Sequence, residues 1–406
     1  MTEESCMAPM EGQNHPEWEE NTLRIMTPGP TQVASNVYQA RAYATTNPDL
    51  DVAFFDFYRD TCELVGELIG TRQSVYIMSG EGILGLEAAC ASLTEPGDRV
   101  LVLDNGIFGK GFSDFVSMYE GEPVLYSSDY HRPIDVDALE TFLERDHDFK
   151  YATVVHSDTP SGVLNPVERI CPLLKRYGIL TVVDTVTGMF AETLQVDEWQ
   201  IDIACGGSQK ALSAPPGLTM VSVSDAAKKI MAARRVPIRA FYANLQVFEG
   251  YYEKKWFPYT MPISDIYGLR AALENVKADE NHLTRHKILA KAVRKTLQQA
   301  GFHLYLQDGF ASSVTAFDVP EGMTDRQILQ KMQEEHHIMI AGCFDVLAGK
   351  VLRIGHMGNN ANTSDLADTL DALQQVVSSL GMDVKLSSMR EEFSLRCRSQ
   401  MAERGE

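Results

Sequence analysis

Between Ser74 and Ser224 short apolar runs alternate with segments whose apolar residues recur at helical spacing, separated by Gly, Pro and Asp. Val75-Tyr-Ile-Met78, Val100-Leu-Val-Leu103, Thr153-Val-Val-His156, Leu180-Thr-Val-Val-Asp184, Ile201-Asp-Ile-Ala-Cys205 and Leu218–Val223 predict strands. Ile83–Leu93, 108–120 and 166–177 predict helices, the first ended by Glu95-Pro-Gly-Asp98. Continuous Val, Ile and Leu runs, without polar alternation, suit a mostly parallel sheet covered on both faces. Ser79, Asp104, Asp158, Asp184 and Ser208 then fall at the carboxyl ends of strands, where such sheets bind ligands.

The pattern changes near Pro258–Ile266. Beyond it, 267–300 predicts one long helix, with Leu269, Ala272, Leu273 and Val276 at helical spacing, and Ser312–Val319 and Lys350–Ile354 predict strands. The expected organisation is a flexible leader over 1–22, a large α/β domain over 23–266, a small α+β domain over 267–385 and a charged tail over 386–406. A chain of 406 residues, 44% hydrophobic and 23% charged, is long enough for two cores. A formal net charge of -20 argues against a nucleic-acid partner, because no basic face is visible to neutralise phosphates. No apolar run approaches the roughly 18 to 20 residues of a membrane helix. The acidic start carries no signal core, so a cytoplasmic location without membrane attachment is expected. Seven cysteines show no CxxC, and Cys62, Cys90, Cys171 and Cys205 lie in apolar contexts, as expected of buried, reduced residues. No metal-ligand spacing is present, and the His336-His337 pair reads as solvated.

The chemistry concentrates at Lys210. It stands in Gly207-Ser-Gln-Lys-Ala-Leu-Ser-Ala-Pro-Pro-Gly217, just past a strand. An amine in such a turn forms a Schiff base when desolvation or a cationic neighbour lowers its pKa. Val182-Val-Asp184 supplies an acid at the end of another strand. A lysine for an aldehyde and an aspartate for a pyridinium nitrogen are what vitamin B6 chemistry requires of a protein.

Together with Met26-Thr-Pro-Gly-Pro30, Gly80-Glu81, Leu84-Gly-Leu-Glu-Ala-Ala89, Phe108-Gly-Lys-Gly-Phe112, Asp158-Thr-Pro-Ser-Gly162 and Arg353-Ile-Gly-His-Met-Gly358, these residues resemble the class V aminotransferases of the type I vitamin B6 enzyme fold. The motifs are most similar to those of pyridoxamine–pyruvate transaminases and of alanine–glyoxylate and serine–pyruvate aminotransferases. The resemblance implies a mostly parallel seven-stranded sheet in the large domain and a homodimer with shared active sites. It implies Lys210 as the Schiff-base lysine and proton carrier, and Asp184 as partner of the ring nitrogen. Phe108 would stack on the ring and Thr159 would bond its phenolic oxygen. Arg353, a lone arginine on an apolar strand, would clamp the substrate carboxylate, approached also by the backbone around Gly29. His156 and Asp158 would support these groups from behind.

In most members a turn and helix start, here Ser79-Gly-Glu-Gly82, cradle the cofactor's 5'-phosphate with Gln209 and with residues of the partner subunit matching Phe257 and Thr260. This chain departs at two of those positions. Glu81 puts a carboxylate where a small donor is common, and Phe257 lacks the hydroxyl of the usual tyrosine. A helix N-terminus favours one anion, not two. Glu81 therefore implies a ring without its phosphate, bound as pyridoxal or pyridoxamine and turned over as a substrate with pyruvate and L-alanine. The alternative keeps pyridoxal 5'-phosphate as cofactor and exchanges amino groups between alanine or serine and glyoxylate or pyruvate. Phe344, where a second arginine is expected of a pyridoxamine enzyme, favours the alternative. A cysteine desulfurase would need a mobile nucleophile such as Cys343, and lacks here the pyridine-facing histidine expected near Phe108.

Overall fold

In the computed structural model, residues 23–402 are described; the expected leader over 1–22 lies outside them. The apolar runs become strands because each is covered on both faces. Every residue of β5 (Tyr151–Val155), β6 (Leu180–Asp184), β7 (Ile203–Gly207) and β8 (Leu218–Val223) is buried. With β2 (Ser74–Ser79), β3 (Arg99–Asp104) and β4 (Glu122–Ser127) they form a seven-stranded sheet in the order β2-β8-β7-β6-β5-β3-β4. Only β8 runs antiparallel to its neighbours, β2 and β7. The mostly parallel seven-stranded sheet is the one the sequence resemblance implied. β4 escaped the sequence reading because it is an edge strand, half exposed, and carries no continuous apolar run.

A parallel register sends β5, β6 and β7 out of the sheet at the same edge, with Val155 paired to Asp184 and Asp184 to Cys205. The turn after β7, which carries Lys210, therefore lies beside the end of β6. The helix Gly82–Leu93 starts at the same site from the turn after β2.

A second core gathers Leu289, Val293, Leu297, Phe317, Leu352, Leu366, Leu370 and Leu373 around β9 (Val314–Asp318) and β11 (Val351–Gly355), an antiparallel pair. The single helix expected over 267–300 is two, Ile263–Ala278 and His282–Ala300. The break has a physical reason: Ile266, Leu269 and Leu273 belong to the first core, whereas Leu289 and Val293 belong to the second. Within the residues read as a charged tail, Met389–Ala402 form a helix. Its Met389, Phe393 and Cys397, four residues apart, lie buried in the second core. A stripe one residue wide is hidden by the surrounding charge. Near the N-terminus, β1 (Arg24–Ile25) pairs with β10 (Ile338–Met339), and Met26 enters the second core. The chain then turns back through Thr27–Gln32 toward the Lys210 turn.

Candidate active site

Lys210 follows β7 and donates from Nζ to the carbonyl of Pro28 at 2.9 Å. Desolvation, and next the charge of Arg353, pull its amine down to a pKa of about 8; Asp184, Glu81 and Asp158 oppose them. Arg353, Asp184, Glu81 and Asp158 thus lie within electrostatic range of Lys210. Gly29 makes the approach feasible. Its φ is +106°, and a Cβ there would stand 2.3 Å from Lys210 Cδ and 2.7 Å from Nζ.

Asp184 ends β6 and is 5% exposed. Burial pushes its carboxyl up to about 7, against the hydrogen bond from the Val186 amide at 2.8 Å. That bond closes a turn, not a helix. Asp184 makes no ion pair among the described residues, and is left for a cationic or N–H partner. His156 is buried behind it, with its backbone N–H on the Asp184 carbonyl.

Glu81 is the N-cap of the helix Gly82–Leu93: Oε1 accepts the Ile83 amide at 3.2 Å. Its other oxygen, Oε2, accepts from Gln209 Nε2 at 2.9 Å. Gly82 is buried, against Val186 of the turn after β6. The two side chains expected around a phosphate are thus bonded to each other, and Gln209 Oε1 is buried without a partner.

Arg353 lies on β11, 8% exposed. Nε and Nη2 donate to the Gly342 carbonyl at 2.8 and 2.6 Å, and Nη1 to the Thr159 carbonyl at 3.4 Å. It makes no ion pair among the described residues. A buried arginine without a carboxylate is costly and suits a bound anion. Thr159 bonds Thr187 through its hydroxyl. Phe108 lies in the first turn of the helix Ile107–Met118, its amide 3.4 Å from Asp158 Oδ1. Its ring meets Phe344 edge-on at 6.0 Å, and Phe344 lies 5.7 Å from the Arg353 guanidinium. Asp158 also accepts the amide and hydroxyl of Ser161, so this carboxylate organises the loop.

Two expected residues stand apart within the chain. Phe257 is 3% exposed and stacks on Phe55 of the same chain at 4.4 Å. Thr260 is exposed, 3.4 Å from Asp49 Oδ2. Thr31 carried no sequence signal, yet its hydroxyl donates to the Lys210 carbonyl at 2.9 Å. A single polar residue from a distant segment has no local pattern by which to be found.

The model of the class V aminotransferases matches residues 29–366, and the chain belongs to that family. The pyridoxamine–pyruvate transaminase of Mesorhizobium japonicum is 31% identical over 361 residues, covering 88% of this chain and 92% of that protein. The crystal structure of pyridoxamine–pyruvate aminotransferase from Mesorhizobium loti superposes with a TM-score of 0.90 at 28% identity, over 95% of this chain and 99% of that one. That of ureidoglycine–glyoxylate aminotransferase from Bacillus subtilis gives 0.90 at 26%, over 94% and 100%. The class V fold is pyridoxal phosphate-dependent, and the family acts on amino and keto acids.

Proposed function

We propose that this class V aminotransferase moves an amino group from pyridoxamine to pyruvate, giving pyridoxal and L-alanine. The observation that carries the reading is the Glu81–Gln209 pair at the start of the helix Gly82–Leu93. A phosphate dianion needs donors. This turn offers a carboxylate, and the hydrogen bond that Gln209 Nε2 donates to Glu81 leaves the side-chain oxygen Gln209 Oε1 as the unpartnered atom. Acceptors suit a 5'-hydroxyl, which donates, and oppose a phosphate. At about 4 Å each like-charge pair costs about 1 kcal/mol in water and about 4 kcal/mol near a protein surface. The residues fit the B6 ring and disfavour its ester.

When bound, the ring would supply a carbonyl for the Lys210 amine and an electron sink. Lys210 would serve as the general base that moves the proton at the reacting carbon. Asp184 holds the proton on the ring nitrogen, Phe108 sets the plane of the ring, and Thr159 bonds its phenolic oxygen. Arg353 and the backbone at Gly29 hold the carboxylate. In a homodimer the exposed Thr260 serves the partner's site while the Phe257 ring stays in its own aromatic core, and the exposed Phe241, Tyr242 and Trp256 nearby in the chain support such an interface.

The test is paired: dissociation constants of pyridoxal and pyridoxal phosphate for the wild type and for Glu81→Ser. The wild type should prefer the free vitamin, and Glu81→Ser should reverse the order. A wild type that holds the ester tightly, with neither constant moved by the substitution, makes this an alanine- or serine-type aminotransferase acting on glyoxylate or pyruvate. Phe344 in place of a second arginine is the feature that favours that outcome.

A further inference from the structure

The Lys210 turn and the arginine strand belong to different cores, yet they must act on one small molecule. Their junction is a chain of hydrogen bonds through His286, a residue of the helix His282–Ala300. His286 Nδ1 lies 2.6 Å from the His282 carbonyl, which accepts only, so this nitrogen carries the proton. Nε2 faces the Gly358 amide at 2.9 Å and must accept. Both ring nitrogens are assigned, and the imidazole is neutral. Next along, the Asn359 amide donates to Ser213 Oγ at 2.8 Å. Ser213 Oγ lies 3.0 Å from Thr31 Oγ1, whose proton goes to the Lys210 carbonyl. Gly358 follows β11, and so Arg353, by a few residues.

The contact is tight at both partners. Ser213 is held at φ +56°, a left-handed conformation uncommon for serine. Gly358 is also at +56°, and a Cβ there would stand 2.1 Å from Ser213 Oγ and 2.6 Å from the Ala211 carbonyl. Only a glycine lets the two loops meet. Asn360 adds a second tie, its Oδ1 accepting the Gln32 amide at 3.0 Å.

We propose that His286 is a positioning residue for transamination: through Gly358–Asn359, Ser213 and Thr31 it sets the Lys210 turn relative to the strand that carries Arg353. The large domain's own residues bind the ring. The amino or oxo acid needs Lys210 and Arg353 in register, and so depends on the latch.

The proposal rests on the aminotransferase chemistry and not on which oxo acid is used, so the best acceptor of the wild type is the probe. In His286→Leu, kcat/KM for that acid should fall by about 10- to 100-fold, the scale of an ångström-sized misplacement. The dissociation constant for pyridoxal should stay within about threefold, a shift well under 1.4 kcal/mol. His286→Gln, which keeps an acceptor for the Gly358 amide, should recover most of the loss. Amide hydrogen exchange on the ring-free protein gives a readout independent of turnover. Gly358 and Asn359 should exchange faster in His286→Leu and at wild-type rates in His286→Gln, with protection of the sheet unchanged. Unchanged exchange at those amides overturns the proposal, as does a glutamine variant as impaired as the leucine. Equal loss of ring and acid binding also overturns it, because that is general destabilisation. If no oxo acid is turned over by the wild type, the assignment of function fails while the exchange result still decides the latch.

Discussion

Replacing Arg353 with lysine keeps the charge and removes the planar fork. The guanidinium has five N–H donors. Two bonds go to the Gly342 carbonyl and one to that of Thr159, so two donors remain for a substrate carboxylate. Breaking a buried, hydrogen-bonded charge pair costs about 2 to 5 kcal/mol. Lysine retains the positive charge, so Arg353→Lys belongs at the lower end, about 2 to 3 kcal/mol. At about 1.4 kcal/mol per decade that is roughly a 30- to 150-fold loss of affinity for the amino or oxo acid. The ring makes no use of this fork, and its affinity should stay within about threefold. Rapid-mixing measurement of the half-reaction against acid concentration gives the first constant, and absorbance titration of ring-free protein with pyridoxal gives the second. Equal loss of the two would refute the reasoning, for Arg353 would then hold the Gly342 and Thr159 loops together instead of binding substrate.

Other predictions follow from the same geometry. Lys210→Ala should abolish transamination with the fold intact, and borohydride should fix pyridoxal to Lys210 in the wild type; labelling at another lysine would end the assignment. Capture of pyridoxal by ring-free protein needs the neutral amine, so its rate should rise with pH through about 8, where desolvation has brought Lys210; a rise centred near the ordinary lysine value contradicts the buried amine. Burial raises Asp184 to about 7, so between its unfolded value and 7 the native state binds the extra proton, and stability falls as pH rises. Asp184→Asn should therefore raise the melting temperature of ring-free protein more at pH 8 than at pH 4, and equal gains would exclude a buried carboxylate as the cause. Gly29→Ala places a methyl 2.3 Å from Lys210 Cδ and should impair Lys210 chemistry with little change in the Asp184 environment; normal turnover would show that the Thr27–Pro30 turn yields easily.

The strands and the chemistry were legible for the same reason: each is written in neighbouring residues. Val182-Val-Asp184 is a buried strand with an acid at its end, and the Ser-Gln-Lys turn follows a strand that must end beside it in a parallel sheet. Arg353 was visible as a charge on an apolar strand. Where covering surfaces come from distant parts of the chain, the pattern misled. The residues near 280 keep their helical periodicity while the apolar face passes from one core to the other, and Met389, Phe393 and Cys397 look like interruptions of a charged tail until the second core is present to bury them.

Sequence alone pointed to six of the seven sheet strands and singled out the lysine, the acid and the arginine, because side-chain type and strand periodicity are local properties. Tertiary structure decided what surrounds them. That Glu81 caps a helix and holds Gln209 depends on loops 128 residues apart meeting at one sheet edge. That Thr31, Ser213, Gly358 and His286 form one chain of hydrogen bonds depends on packing two cores together. Hydrogen bonds have a range of about 3 Å, so their partners are settled only when the fold brings distant segments to that distance.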